Sequence, residues 1–143
     1  MITGHATSEG TAKFADNHPN VAKNHFKQFD GLTLSSIGIG TYLGNPDDAT
    51  DMLVRDAVIK STTLGINVID TAINYRAQKA ERSIGKAITQ LIEKNKIRRD
   101  QLFVSTKNGY ITNDGYITNG SVMQWYPEDM SPDLIMPGFT RVF

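Results

Sequence analysis

The sequence predicts an α/β fold built from parallel βαβ units. Two observations carry this reading. A β-branched apolar run at residues 66–69 and another apolar run at 102–106 alternate with amphipathic helical stretches, and the runs lead into charged residues, Asp70 and Lys107. Alternation with short connections favours parallel strands, because a right-handed crossover with the helix outside is the sterically preferred link. A doubly wound sheet and a barrel both begin in this way. Gly38, Gly40 and Gly44 do not have the G-x-G-x-x-G spacing of a dinucleotide fingerprint, which weighs against the doubly wound alternative.

Residues 1–30 are polar and show neither helical nor strand periodicity, so they read as an extended arm. The arm holds all three histidines. His5, His18 and His25 are thirteen and seven residues apart, which places them on no common face and favours solvated or scaffold roles over a metal site. From Gly31 the texture changes: Leu32, Thr33 and Leu34 alternate, and after Ser35-Ser36 the run Ile37-Gly38-Ile39-Gly40-Thr41-Tyr42 reads as a short strand. Its glycines point to a close approach by another backbone or by a ligand.

Asp47 or Asp48 offers an N-cap for a helix carrying Met52, Leu53, Val54, Ala57, Val58 and Ile59 at three- and four-residue spacing and ending near Gly65. Residues 66–69 then form a buried strand ending on Asp70, followed by a loop over residues 71–78. Ile84, Ala87, Ile88, Leu91 and Ile92 share one face of a second helix, with Glu81, Lys86, Glu93 and Lys94 outside. A solvated turn over residues 94–99 leads to the strand 102–106 and Lys107. Further on, Gly-Tyr-Ile-Thr-Asn occurs at residues 109–113 and again at 115–119, with a hairpin-forming Asn113-Asp114-Gly115 between. Residues 110–143 read as a loop-rich insertion.

Composition narrows the function classes. With 39% hydrophobic and 21% charged residues the chain is of the globular class. Fifteen Lys and Arg balance fifteen Asp and Glu, so no global field favours nucleic acid or anionic lipid. The absence of cysteine removes disulfides, thiolate catalysis and Cys-bound zinc, and fits a cytoplasmic location. No segment approaches the roughly 20 apolar residues of a membrane span.

The residues with chemical capacity fall at one end of the predicted sheet. Parallel strands bring Asp70 and Lys107 to the same C-terminal rim, where open α/β sheets and barrels build their sites, and Tyr75 lies five residues beyond Asp70. Taken singly, each has a bland explanation: a turn cap, a solvated lysine, a packed ring. Together they form a proton-delivery group. A phenol, with an ordinary pKa of about 10, is a reluctant donor at neutral pH. A nearby lysine stabilises its ionised form, and an aspartate fixes the lysine.

At these positions the sequence resembles the aldo/keto reductase family. The resemblance rests on Gly38-Ile39-Gly40-Thr41-Tyr42, on the stretch from Gly65 through Asp70-Thr71-Ala72-Ile73-Asn74-Tyr75, on residues 81–85, and on Ser105-Thr106-Lys107, covering roughly residues 31–109. It implies a (β/α)8 TIM barrel, of which this chain holds the incomplete N-terminal portion, with the first β/α units at residues 31–109. The implied activity is NAD(P)H-dependent reduction of an aldehyde or ketone: a small-molecule carbonyl substrate, NADPH as cofactor with NADH as the alternative, and no metal. Tyr75 would be the general acid, Lys107 would favour its ionised form and Asp70 would support Lys107, while Gly40, Thr41, Tyr42 and Asp70 match positions near the nicotinamide riboside.

The chain departs from the family in two respects. The family's fourth catalytic residue is a histidine at the end of the fourth barrel strand, yet no histidine follows Lys107. A complete barrel needs about 250 residues, so a truncated product, inactive alone and open to self-association through uncovered barrel edges, is expected. Two other readings compete: a non-catalytic nicotinamide-binding or regulatory protein on the same fold, and an independent α/β domain that binds a partner through its Pro- and aromatic-rich tail.

Overall fold

The computed structural model describes residues 2–107. In chain order the elements are α1 (Ser8–Asp16), β1 (Phe26–Phe29), β2 (Leu32–Ser35), β3 (Ile39–Gly40), α2 (Asp48–Thr63), β4 (Val68–Asp70), α3 (Lys79–Glu93), a 3-10 turn (Arg99–Gln101) and β5 (Phe103–Ser105). From β3 onward the expected βαβαβ alternation is present. Strands β3, β4 and β5 form a parallel sheet in that order, with Gly40 paired to Asp70 and Asp70 to Ser105. That register aligns the three C-terminal strand ends in one row.

The core lies where the two helices meet the sheet. Helix α3 buries Ile84, Ala87, Ile88 and Leu91, as their spacing predicts, against Ile69, Leu102 and Val58 of α2. Each fully buried Leu or Ile contributes about 1.5–3 kcal/mol. Asp47 is the N-cap of α2, accepting from the Thr50 N–H at 2.7 Å. The expected apolar face of α2 is only partly realised. Val58 and Thr62 are buried, but Met52 and Leu53 are 53% and 69% exposed, because the side of α2 that packs into the core runs through Val58 and Thr62 and leaves them outside it.

The extended arm expected for residues 1–30 is corrected. Thr7 caps α1 by accepting from the Gly10 N–H, and Gly10, Thr11 and Phe14 bury one narrow side of the helix. Residues 26–29 form a strand, antiparallel to β2. Asp30 and Gly31 make the turn with φ of 47° and 77°, the left-handed pair that a two-residue hairpin loop requires. The turn expected as solvated over residues 94–99 also contains a core residue, Ile97.

A buried asparagine fixes this hairpin to the sheet. The Asn67 side chain accepts from the Ser35 N–H at 2.8 Å and donates to the Thr33 carbonyl at 2.9 Å, while its own N–H donates to Ser35 Oγ. His25 Nε2 donates to the Gly65 carbonyl at 2.9 Å. Gly65 and Asn67 precede β4, so the hairpin closes the N-terminal end of the sheet and leaves the Asp70 end open. Among the described residues, no helix is long and apolar enough to cross a membrane. The repeat at residues 109–119 and the insertion expected over 110–143 lie outside the described residues.

Candidate active site

Two loops and a strand end converge beyond the row Gly40, Asp70, Ser105. Lys107 Nζ donates to both Asp70 carboxylate oxygens at 2.8 Å and to the Thr71 carbonyl at 2.9 Å. The same nitrogen stands 4.8 Å from the centre of the Tyr75 ring. Tyr42 meets Tyr75 edge to face, with centroids 4.9 Å apart. The sheet thus brings Lys107 to Asp70 and Tyr75, more than 30 residues before it in sequence, with Tyr42 beside them.

Partial burial pulls the Lys107 ammonium toward a lower pKa, but hydrogen bonding and charge from Asp70 and Tyr75 outweigh it and the net displacement is upward from 10.5. Lys107 therefore stays cationic through the physiological range. The side chains of Lys107 and Asp70 remain 37% and 48% exposed, so solvent screening limits the pair to about 1 kcal/mol of stability or less. The consequence of the pair is positional.

The other expected residues border the same spot. Among the described residues, a Cβ built on Gly40 would meet no atom within 4 Å, so the strand end is open toward them there. The Tyr42 ring is 63% exposed beside it. Thr41 is buried, and its hydroxyl donates to the Asp70 main-chain carbonyl at 3.1 Å, tying β3 to β4 at the rim.

The model of the aldo/keto reductase family matches residues 36–142. This chain belongs to the aldo/keto reductase family. Aldose reductase C of Dictyostelium discoideum is 32% identical over 93 residues, which cover 64% of this chain and 26% of that protein. The NADH-specific methylglyoxal reductase of Escherichia coli is 33% identical over 85 residues, 56% of this chain and 24% of the relative. Mouse aldo-keto reductase family 1 member C13 is 31% identical over 87 residues, 60% and 25%. The aligned stretches span about a quarter of the length of these relatives. Helix α1 and the β1–β2 hairpin precede the region that the family pattern matches.

One feature of this rim has no signal in the sequence. Arg76, Ala77 and Gln78 follow Tyr75 with φ of 52°, 53° and 69°, three consecutive non-glycine residues in the left-handed region. Each such residue costs about 1–2 kcal/mol. Arg76 is buried, pairs through Nη2 with Asp51 of α2, and donates from Nε to the Asn45 carbonyl at 3.1 Å. No local sequence signal marks an arginine as buried at such a turn.

Proposed function

We propose that this chain carries the nicotinamide-facing, proton-delivering part of a (β/α)8-barrel aldo/keto reductase that reduces aldehydes or ketones. NADPH is the proposed cofactor, with NADH as the alternative that the NADH-specific bacterial relative keeps open. In this reading residues 31–109 hold the first β/α units, and the edges of β3 and β5 that are unpaired among the described residues receive the later strands. The observation that carries it is the Asp70-bound Lys107 ammonium 4.8 Å from the Tyr75 ring, at the C-terminal end of parallel strands.

The residues present fit a nicotinamide. Space over Gly40 that is open among the described residues, flanked by the exposed Tyr42 ring and the half-exposed Asp70 carboxylate, offers a place beside the proton donor. When bound, the reduced nicotinamide supplies the hydride that reaches the carbonyl carbon. Tyr75 gives its hydroxyl proton to the carbonyl oxygen as negative charge develops there. Lys107 stabilises the phenolate that is left, and Asp70 together with the Thr71 carbonyl holds Lys107 in place. Thr41 fixes the Asp70 backbone.

The test is NADPH-dependent reduction of a panel of small aldehydes and ketones by the full-length protein. Tyr75→Phe is expected to lower kcat by about 10²–10⁴ while cofactor binding persists. Equal turnover in the variant would remove Tyr75 from the role.

A further inference from the structure

The loop that carries Tyr75 takes an unfavourable shape, and one buried side chain in it reaches two other segments of the chain. Residues 76–78 turn left-handed without a glycine, with the Arg76 and Gln78 carbonyls accepting from the Lys79 and Arg82 N–H groups of α3 at 3.1 and 3.3 Å. The Tyr75 N–H donates to the Ala72 carbonyl at 3.0 Å, and the Tyr75 carbonyl accepts from the Ala80 N–H of α3 at 3.3 Å. Those bonds and the Lys107 contact to the Thr71 carbonyl tie the loop to α3 and to the end of β5. The link to α2 and to the loop after β3 is Arg76, whose guanidinium reaches two places at once: Asp51 on α2 and the carbonyl of Asn45. Asn45 lies in the loop after β3, three residues beyond Tyr42. Arg76 therefore joins the two loops whose rings meet at 4.9 Å.

We propose that Arg76 is a positioning residue whose two-point grip on Asp51 and the Asn45 carbonyl sets the Tyr75 ring against Tyr42 and Lys107. As a contribution to catalysis this rests on the reading of Tyr75 as proton donor, but the grip itself is a property of the loop geometry. A buried ion pair is generally no better for stability than apolar residues of similar volume. What a planar guanidinium adds is direction, since its fixed fork reaches a carboxylate and a carbonyl together, which a lysine ammonium does not reproduce. Asp51 is itself held, because its second oxygen lies 3.4 Å from Lys79 Nζ at the start of α3. The anchor thus spans both ends of the strained turn.

The experiment is NMR of the full chain with isotope-labelled tyrosines, following the ring-to-ring cross-peak between Tyr42 and Tyr75. Assignment uses Tyr42→Phe and Tyr75→Phe. The cross-peak is expected in the wild type, lost in Arg76→Met and in Asp51→Asn, and partly restored in Arg76→Lys relative to Arg76→Met. Arg55→Ala, which removes an exposed ion pair on the same helix, should leave it intact. Circular dichroism establishes which variants are folded, and if Arg76→Met is not, Asp51→Asn decides in the same way. Folded Arg76→Met and Asp51→Asn proteins that keep the wild-type cross-peak would overturn the proposal. Loss of the cross-peak alongside unchanged turnover in Tyr75→Phe would uphold the clamp and refute the proton-donor reading, so the two failures are distinguishable.

Discussion

Gly10→Ala and Gly85→Ala make the same chemical change inside two helices and are expected to have opposite effects. In an unobstructed helix the substitution stabilises by about 0.8–1 kcal/mol. At Gly85 of α3 a new Cβ meets nothing within 4 Å among the described residues, so the gain should appear nearly whole. At Gly10 of α1 it would stand 2.3 Å from the Asp100 carbonyl oxygen and 2.7 Å from its carbon, which is backbone and cannot rotate aside. Helix α1 would have to back away by roughly 1 Å to regain van der Waals contact. That movement strains the 3.0 Å bond from the Thr7 N–H to the same carbonyl. Overpacking costs about 1–3 kcal/mol and the hydrogen bond about 0.5–1.5. Set against the propensity gain, a net loss of about 2 kcal/mol remains, or roughly 5–15 °C in Tm. Paired thermal melts measure both. A Gly10→Ala protein that melts at or above the wild-type temperature would refute the docking of α1 on the 3-10 turn.

Two further outcomes follow from the hydrogen bonds described above. Asn67→Ala strips partners from the Ser35 N–H and the Thr33 carbonyl at the base of the sheet, a loss of roughly 2–5 kcal/mol. Urea titration should show a lower midpoint with an unchanged slope, and an unshifted midpoint would contradict the hairpin's attachment. Lys107, whose folded pKa is raised, contributes stability that is fully present below 10.5 and is lost as pH rises through the higher folded value. Asp70→Asn should remove that alkaline component, at most about 1 kcal/mol given the exposure of the pair, and identical wild-type and variant profiles above pH 10.5 would count against the contact.

The parallel core was legible because its signals are local and redundant. Residues 66–69 combine β-branching with an acidic end, and the α3 stripe repeats through four buried positions. The rim followed from topology, since parallel strands bring Asp70 and Lys107 together wherever the crossovers run. The N-terminal elements were less visible. Helix α1 buries a glycine, a threonine and one phenylalanine, a side too small and polar to register as an apolar stripe. The hairpin did carry a signal in Asp30-Gly31, a pair suited to left-handed turn positions. The α2 pattern over-predicted burial because spacing defines a stripe but not which part of it meets a neighbour. Arg76 was unreadable, since its role depends on Asp51 and Asn45, 25 and 31 residues away.

The central claim is that the open strand end beside Asp70, Tyr75 and Lys107 receives a nicotinamide. It is tested most directly by titrating the full-length protein with NADPH, following cofactor fluorescence, in the wild type and in Gly40→Val. The new Cβ enters space where no atom of the described residues lies within 4 Å, so the fold and its melting temperature should persist while the cofactor's place is filled. The account predicts saturable binding in the wild type and none in the variant. A folded wild type without saturable binding, or a Gly40→Val protein that binds equally well, would contradict it.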